Sequence, residues 1–367
     1  MVAKKTGISR DLIIHPGETI ADILETRSIT QTELAARTGV SPAYVSKVIS
    51  GKKDISSKFA MALEYALDVP KSFWLNLQAN YEAELLDFNE SNTITEDERD
   101  AYGSLSEVAS YFKKCGRIPG GMSKNGSILL MRKILCVSNL TNLNDLVVSG
   151  AFRVSQKATV NPLVMGAWLQ LCQIIGNQIS APVAKFDVQR VPDLIGELKK
   201  IMLNKNADLR ADLENVMSRY GIKFAVIRNF RGAPVHGYIS RNKDGMYQMI
   251  TTIRGAYADI FWFSLFHELG HIVNGDIAKD SDFIDVSDGL DLEKERAADI
   301  FAQDSLLEPK SYADFLQRGD FTLSAISNYA NTQNVMPYVV IGRLQKEKHI
   351  SYSAYSDYKV RYGWTNQ

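Results

Sequence analysis

Five histidines occur in the 367-residue chain, and two of them, His267 and His271, stand four residues apart with Glu268 between them. Residues four apart share one face of an α-helix, so both imidazoles can bind a single ion from adjacent turns. A catalytic zinc needs a third protein ligand and one position open to water. The stretch Glu293-Lys294-Glu295-Arg296-Ala297-Ala298-Asp299 supplies it. Glu295 completes the metal shell, and Asp299, one turn later, holds the outer N–H of a ligand histidine. Glu293 competes for the third position, but only Glu295 has an acid one turn on along its own face. The chemistry expected is peptide hydrolysis: the ion lowers the pKa of a water and polarises the scissile carbonyl, while Glu268 carries the proton to the leaving amine. An oxyanion donor is also needed, and Arg254, Tyr257, His236 and Tyr238 lie upstream with no spacing that chooses among them. One zinc per chain is the expected cofactor, and the same nitrogen and oxygen ligands accept other divalent metals.

A second chemistry lies near the N-terminus. Between Ser41 and Ala60, Lys47, Lys52, Lys53 and Lys58 face a single acid, Asp54. Such a patch can grip phosphates while neighbouring side chains reach base edges. The residues assigned to double-stranded DNA are Gln31, Ser41, Ala43, Tyr44, Ser46, Lys47, Lys52 and Lys53.

The elements that must position these groups can be read from caps and periodicity. Ile20, Ile23 and Leu24 form a helical stripe. Thr30 and Glu33 form a capping box for a second helix, and Gly39 supplies a left-handed turn. Ser41 and Pro42 start a third helix with Val45, Val48 and Ile49 inside. Small Ala35, turn Gly39 and apolar Val40, Val45 and Val48 together make the pattern of a helix-turn-helix. His15–Ser56, HPGETIADILETRSITQTELAARTGVSPAYVSKVISGKKDIS, resembles the DNA-binding domain of the XRE (phage-repressor-like) regulators, particularly the HigA-type antitoxins. That resemblance, over about the first 80 residues, implies a homodimer on a palindromic operator.

Asp87 to Asp100 is acidic and reads as a solvated linker. The glycines from Gly116 to Gly126 read as a loop, because no Lys-Ser or Lys-Thr follows to make a phosphate cradle. Residues 128–217 read as helical, and 223–227, 235–239 and 247–253 as a small three-stranded sheet leading into the histidine helix. The segments FWFSLFHELGHIVNGD and EKERAADIFAQDSLLEP resemble the ImmA/IrrE metallo-endopeptidases. Over residues 128–310 this resemblance makes His267, His271 and Glu295 metal ligands and Glu268 the general base, and implies a repressor or regulator protein as substrate. Ala297 departs from the second acid that many relatives carry there, which weakens no ligand. Near the C-terminus Ala330, Asn334, Val335, Pro337 and Val340 echo Ala35, Gly39, Val40, Pro42 and Val45, but Arg343 replaces Val48. This echo reads as a packing element beside the protease, and VVIGRLQKE resembles the tail of HigA-like fusions.

The chain is therefore expected to be multidomain: an all-α helix-turn-helix domain (1–85), a linker and loop (86–127), an α+β zincin-like metallopeptidase region (128–310, helical to 217, with sheet and active-site helices from 218) and a helical C-terminal element (311–367). Forty-two basic and 42 acidic side chains cancel, which excludes nonspecific coating of nucleic acid or anionic membrane. Cys115, Cys136 and Cys172 lack metal or disulfide spacing and read as buried apolar fillers. No apolar leader or membrane-spanning run is present, so a cytoplasmic location is expected. The function expected is a DNA-binding transcriptional regulator with a zinc-dependent endopeptidase. The alternative is a repressor or antitoxin whose silent zinc domain binds a toxin or effector.

Overall fold

The computed structural model describes residues 13–149, 160–204, 208–253, 255–279, 281–286 and 292–364, which divide into two compact units, 1–95 and 96–367. No helix among the described residues is long and apolar enough to cross a membrane.

The first unit holds α1 (Pro16–Thr26), α2 (Gln31–Thr38), α3 (Pro42–Ile49), α4 (Ser57–Leu67) and α5 (Lys71–Glu90). Thr30 and Ser41 cap α2 and α3 by accepting the N–H groups of Glu33 (3.1 Å) and Tyr44 (3.2 Å). Gly39 takes the left-handed turn between them at φ +69°. Glu33 accepts a bond from Arg37 at 2.5 Å. Ile20, Leu34, Val45, Val48, Phe59, Leu63 and Trp74 form one buried core, each large apolar side chain contributing about 1.5–3 kcal/mol by leaving water. Gly17 is where α1 crosses α3: a Cβ there would stand 2.1 Å from the Val48 carbonyl oxygen.

The expected linker is largely helical, which corrects the reading of 86–127. The helix α5 runs on to Glu90, and α6 (Glu96–Ser104), α7 (Ser106–Lys114) and the start of α8 (Lys124–Ile134) follow. The acids Glu96, Asp97 and Glu98 fill the first turn of α6, where the positive end of the helix dipole favours them. Glu98 is fully buried, ion-paired with Arg132 and accepting the Leu140 N–H at 3.0 Å. A solvated acidic linker would show neither contact. The glycine-rich stretch before Ser123 does form turns.

The second unit continues through α9 (Leu143–Ser149), α10 (Pro162–Gln178), α11 (Val191–Leu203), α12 (Leu209–Arg219), β1 (Ile222–Ile227), β2 (Val235–Arg241), β3 (Tyr247–Thr252), α13 (Ala258–Asn274), β4 (Ser281–Val286), α14 (Leu292–Leu306), α15 (Pro309–Arg318), α16 (Leu323–Thr332) and α17 (Pro337–Lys346). The three expected strands pair, with β1 parallel and β2 antiparallel to β3, and β4 adds a fourth strand beside β2. Alternation along the strands splits the sheet between two helical layers. Phe224, Ile239 and Met249 join the core containing Trp262, Phe266 and Leu269 of α13. Gln248 and Tyr238 face the other way: a Cβ on Gly176 of α10 would run into the Gln248 side chain, and Trp168 lies edge-on to Tyr238.

The C-terminal echo forms two helices, α16 and α17, joined through Asn334 at φ +54°. Its buried face, Ala330, Val335, Val340, Ile341 and Leu344, belongs to the same core as α13. Arg343, in the place of Val48, lies over the Tyr312 ring at 3.9 Å and bonds Glu347 at 2.9 Å. Of the three cysteines only Cys172 is buried. Cys115 and Cys136 are exposed because both fall in turns after helices, not on apolar faces.

Candidate metal centre and nucleic-acid interface

One helix delivers both histidines and the glutamate between them. The apolar run of α13 buries Phe261, Trp262, Leu265, Phe266 and Leu269, and with them His267, Glu268 and His271. Placing three polar side chains in such a core demands partners. His267 Nδ1 meets Asp299 Oδ1 at 2.9 Å, and His271 Nδ1 meets Asp276 Oδ2 at 2.8 Å. An ionised carboxylate only accepts, so each Nδ1 carries a proton, and in the neutral ring Nε2 then presents a lone pair. Those two Nε2 atoms face each other at 3.1 Å, and Glu295 lies 3.2 Å from one and 3.7 Å from the other. The ligand atoms of His267, His271 and Glu295 lie within 4.8 Å of one another. Lone pairs and a carboxylate aimed at one point repel unless a cation or proton sits among them.

Asp276 is the residue that sequence reasoning missed. Gly275 ends α13 in the left-handed conformation at φ +76°, and Asp276 N–H then bonds the His271 carbonyl at 3.0 Å. That turn, not a helical face, brings the carboxylate beneath the imidazole. The signal available was a Gly-Asp pair closing the helix.

Burial holds His271 below the usual histidine range against the upward pull of its bond with Asp276. Burial pushes Asp299 upward, but its bond with His267 and the charge of Lys346 leave it below the usual carboxylate range. Asp299 is thereby kept ionised as an acceptor.

The structure brings Glu295, on α14, to the histidines, while Glu293 is exposed and outside the cluster. The helices α13 and α14 approach through small residues: a Cβ on Gly270 would stand 3.1 Å from Ala298 Cα. Glu268 is fully buried and rests against β2, where Gly237 leaves room for its carboxyl group. A cavity of about 840 Å³ opens beside the cluster, lined by His236, Ile260, Phe263, His267, Glu295 and Lys346 among others. Of the expected oxyanion donors, His236 lines this cavity, Tyr238 is buried elsewhere, and Arg254 lies outside the described residues.

In the first unit, Gln31, Ser41, Ala43, Ser46, Lys47, Lys52 and Lys53 are exposed and Tyr44 is half-buried. The Tyr44 ring lies edge-on to Phe59 at 5.0 Å with Lys53 Nζ 4.3 Å over it, and its hydroxyl is 3.4 Å from Ser56 Oγ. Tyr44 therefore fixes α3 against α4. Ser41 Oγ is engaged as a cap, which leaves Gln31, Ser46 and the lysines as the outward polar groups. Asp54, the single acid nearby, accepts from Gln78 Nε2 at 3.1 Å.

Residues 20–74 match the helix-turn-helix family model. The module is of the kind that binds DNA. Virulence-associated protein A' of Dichelobacter nodosus is 41% identical over 69 residues, 18% of this chain and 60% of that protein. The chain thus spans 60% of that curated relative's length. Two solved structures are also similar. An addiction module antidote protein of the HigA family from Coxiella burnetii is 26% identical, with TM-score 0.21, covering 22% of this chain and 95% of its own. The Pseudomonas aeruginosa antitoxin HigA, solved with the higBA promoter, is 30% identical, with TM-score 0.21, covering 23% and 96%.

Proposed function

We propose that this chain is a transcriptional regulator whose helix-turn-helix unit docks on an operator and whose second unit is a zinc-dependent endopeptidase acting on a partner repressor or regulator protein. The observation that carries the enzymatic part is the convergence of the His267 and His271 ring nitrogens and the Glu295 carboxylate beside buried Glu268. The donor set fits the ion: two imidazoles and one carboxylate suit zinc and leave a coordination position open. Each imidazole is already oriented by an acid. Bound there, a divalent ion supplies Lewis acidity toward a water and the scissile carbonyl.

The chain's own residues do the rest. Glu268 accepts a proton from water as the new C–O bond forms, and delivers it to the amine as the C–N bond breaks. Asp299 and Asp276 keep the ligand rings in register. In the first unit, α3 presents Ser46 to the major groove while Lys47, Lys52 and Lys53 contact phosphates, and a homodimer reads a palindromic site.

The test is metal content together with the abundance of partner proteins in cells carrying wild type or Glu268→Gln. Both proteins should hold one zinc, and a regulator should accumulate only with the variant. Zinc in both with every partner unchanged leaves the second unit as a scaffold for a toxin or effector.

A further inference from the structure

We propose that His236 is the oxyanion donor of the metal site, an assignment that rests on the endopeptidase reading and names a further catalytic residue for it. Negative charge developing on a carbonyl oxygen in a water-poor cleft requires a hydrogen-bond donor fixed in advance. Tyr238 is 2% exposed and lies edge-on to Trp168, on the face of the sheet away from α13. The Tyr257 ring is flanked by the cations of Lys359 (5.0 Å) and Arg361 (4.8 Å) and does not line the cleft.

Strand alternation would put His236 on the face of Tyr238, since the two are two residues apart. The structure breaks that alternation at this point. The pairing of β2 with β4 shifts register between Val235 and Gly237, with Val235 opposite Val286 and Gly237 opposite Asp285. The residue inside that irregularity is His236. A β-bulge re-aims its extra side chain and recurs beside active sites. His236 accordingly lines the cleft with His267 and Glu295. Its neighbour Gly237 lies directly against the Glu268 carboxyl group, so the bulge sets His236 one residue from the strand position that seats the general base. A substrate carbonyl entering this cleft at the cluster therefore has the His236 imidazole on its strand side.

Two probes of the zinc-loaded full-length protein test the assignment by calorimetry. A phosphinic dipeptide with apolar side chains carries a tetrahedral anion whose second oxygen asks for a donor. Its thiol counterpart has the same side chains but no such oxygen. His236→Ala should weaken the phosphinic probe on the order of 100-fold, comparable to losing one oxyanion donor, with the thiol probe and zinc content within about three-fold of wild type. His236→Gln, which keeps an N–H donor, should recover part of the loss. Equal losses on both probes, or none on the phosphinic one, overturn the assignment of His236. A wild-type protein that holds zinc but binds neither probe overturns the endopeptidase reading itself.

Discussion

Gly237 on β2 and Glu268 on α13 meet so closely that a methyl group on the glycine would stand 2.1 Å from the glutamate's carboxyl carbon and from Oε1. The contact is one-sided: the strand yields space and the helix places a buried acid in it. Gly237→Ala must therefore displace Glu268 or bend β2. The expected cost is about 1–3 kcal/mol of stability, typical of an overpacked core, together with loss of the proposed proteolysis with the proposed zinc still bound. Thermal unfolding and metal analysis check it, and a variant indistinguishable from wild type in both stability and cleavage would show that the carboxyl is seated elsewhere.

Metal affinity should sort the acids around the histidines. Asp299→Asn and Asp276→Asn each replace the charged acceptor on a histidine ring with a neutral amide oxygen and should weaken zinc about 10- to 100-fold. Glu295→Ala should weaken it more, whereas Glu293→Ala should leave it unchanged. A competition titration with a chromophoric chelator gives all four values. Equal losses for Glu293 and Glu295 would return the third ligand to doubt.

The metal-free protein should lose stability on acidification through His271. Its folded-state pKa lies below the ordinary value of about 6.5 because the ring is buried, so the unfolded chain takes up the proton first. The contribution is whole above about pH 6.5 and is lost as pH falls through the lower folded-state value. Asp299, also lowered, acts in a separate window beginning near pH 4 and moving down. Melting curves of chelator-treated protein from about pH 7.5 to about pH 5 should slope downward in wild type and flatten in His271→Gln. Parallel curves would remove burial of this ring as the cause.

At the DNA interface, Lys47→Ala should weaken operator binding and reduce the slope of log affinity against log salt by about 0.9, one phosphate contact. Tyr44→Phe should change little, because the ring's packing on Phe59 is retained and only the weak contact to Ser56 is lost. Titrations at several salt concentrations separate the two. An unchanged slope for Lys47→Ala would remove that lysine from the phosphate-binding face.

The parts legible in the sequence are those set by short periods. His267 and His271 share a face because the helical repeat requires it, and Glu295 was separable from Glu293 because Asp299 lies one turn farther along the same helix. The turns at Gly39 and Asn334 were likewise announced by residue type. What escaped depends on chain reversal or on distant pairing. Asp276 reaches His271 only after Gly275 turns the backbone, and the bulge at His236 exists only once β4 pairs with β2. Net charge alone makes the acids before Tyr102 read as solvated, whereas their order carries a helix start. Thr95 followed three residues later by Glu98 is a helix-start pattern, and Glu98 serves a buried arginine instead of water.

Gly270 and Ala298 touch no ligand atom, yet each is near one in the chain: His271 follows the glycine, and Glu295 precedes the alanine by three residues. Two rods bearing the histidines and the carboxylate are thus held apart by the smallest spacers that side chains allow. In the proposed metal centre that spacing would set the size of ion the three side chains can share, and a methyl group on Gly270, 3.1 Å from Ala298 Cα, would alter it from behind.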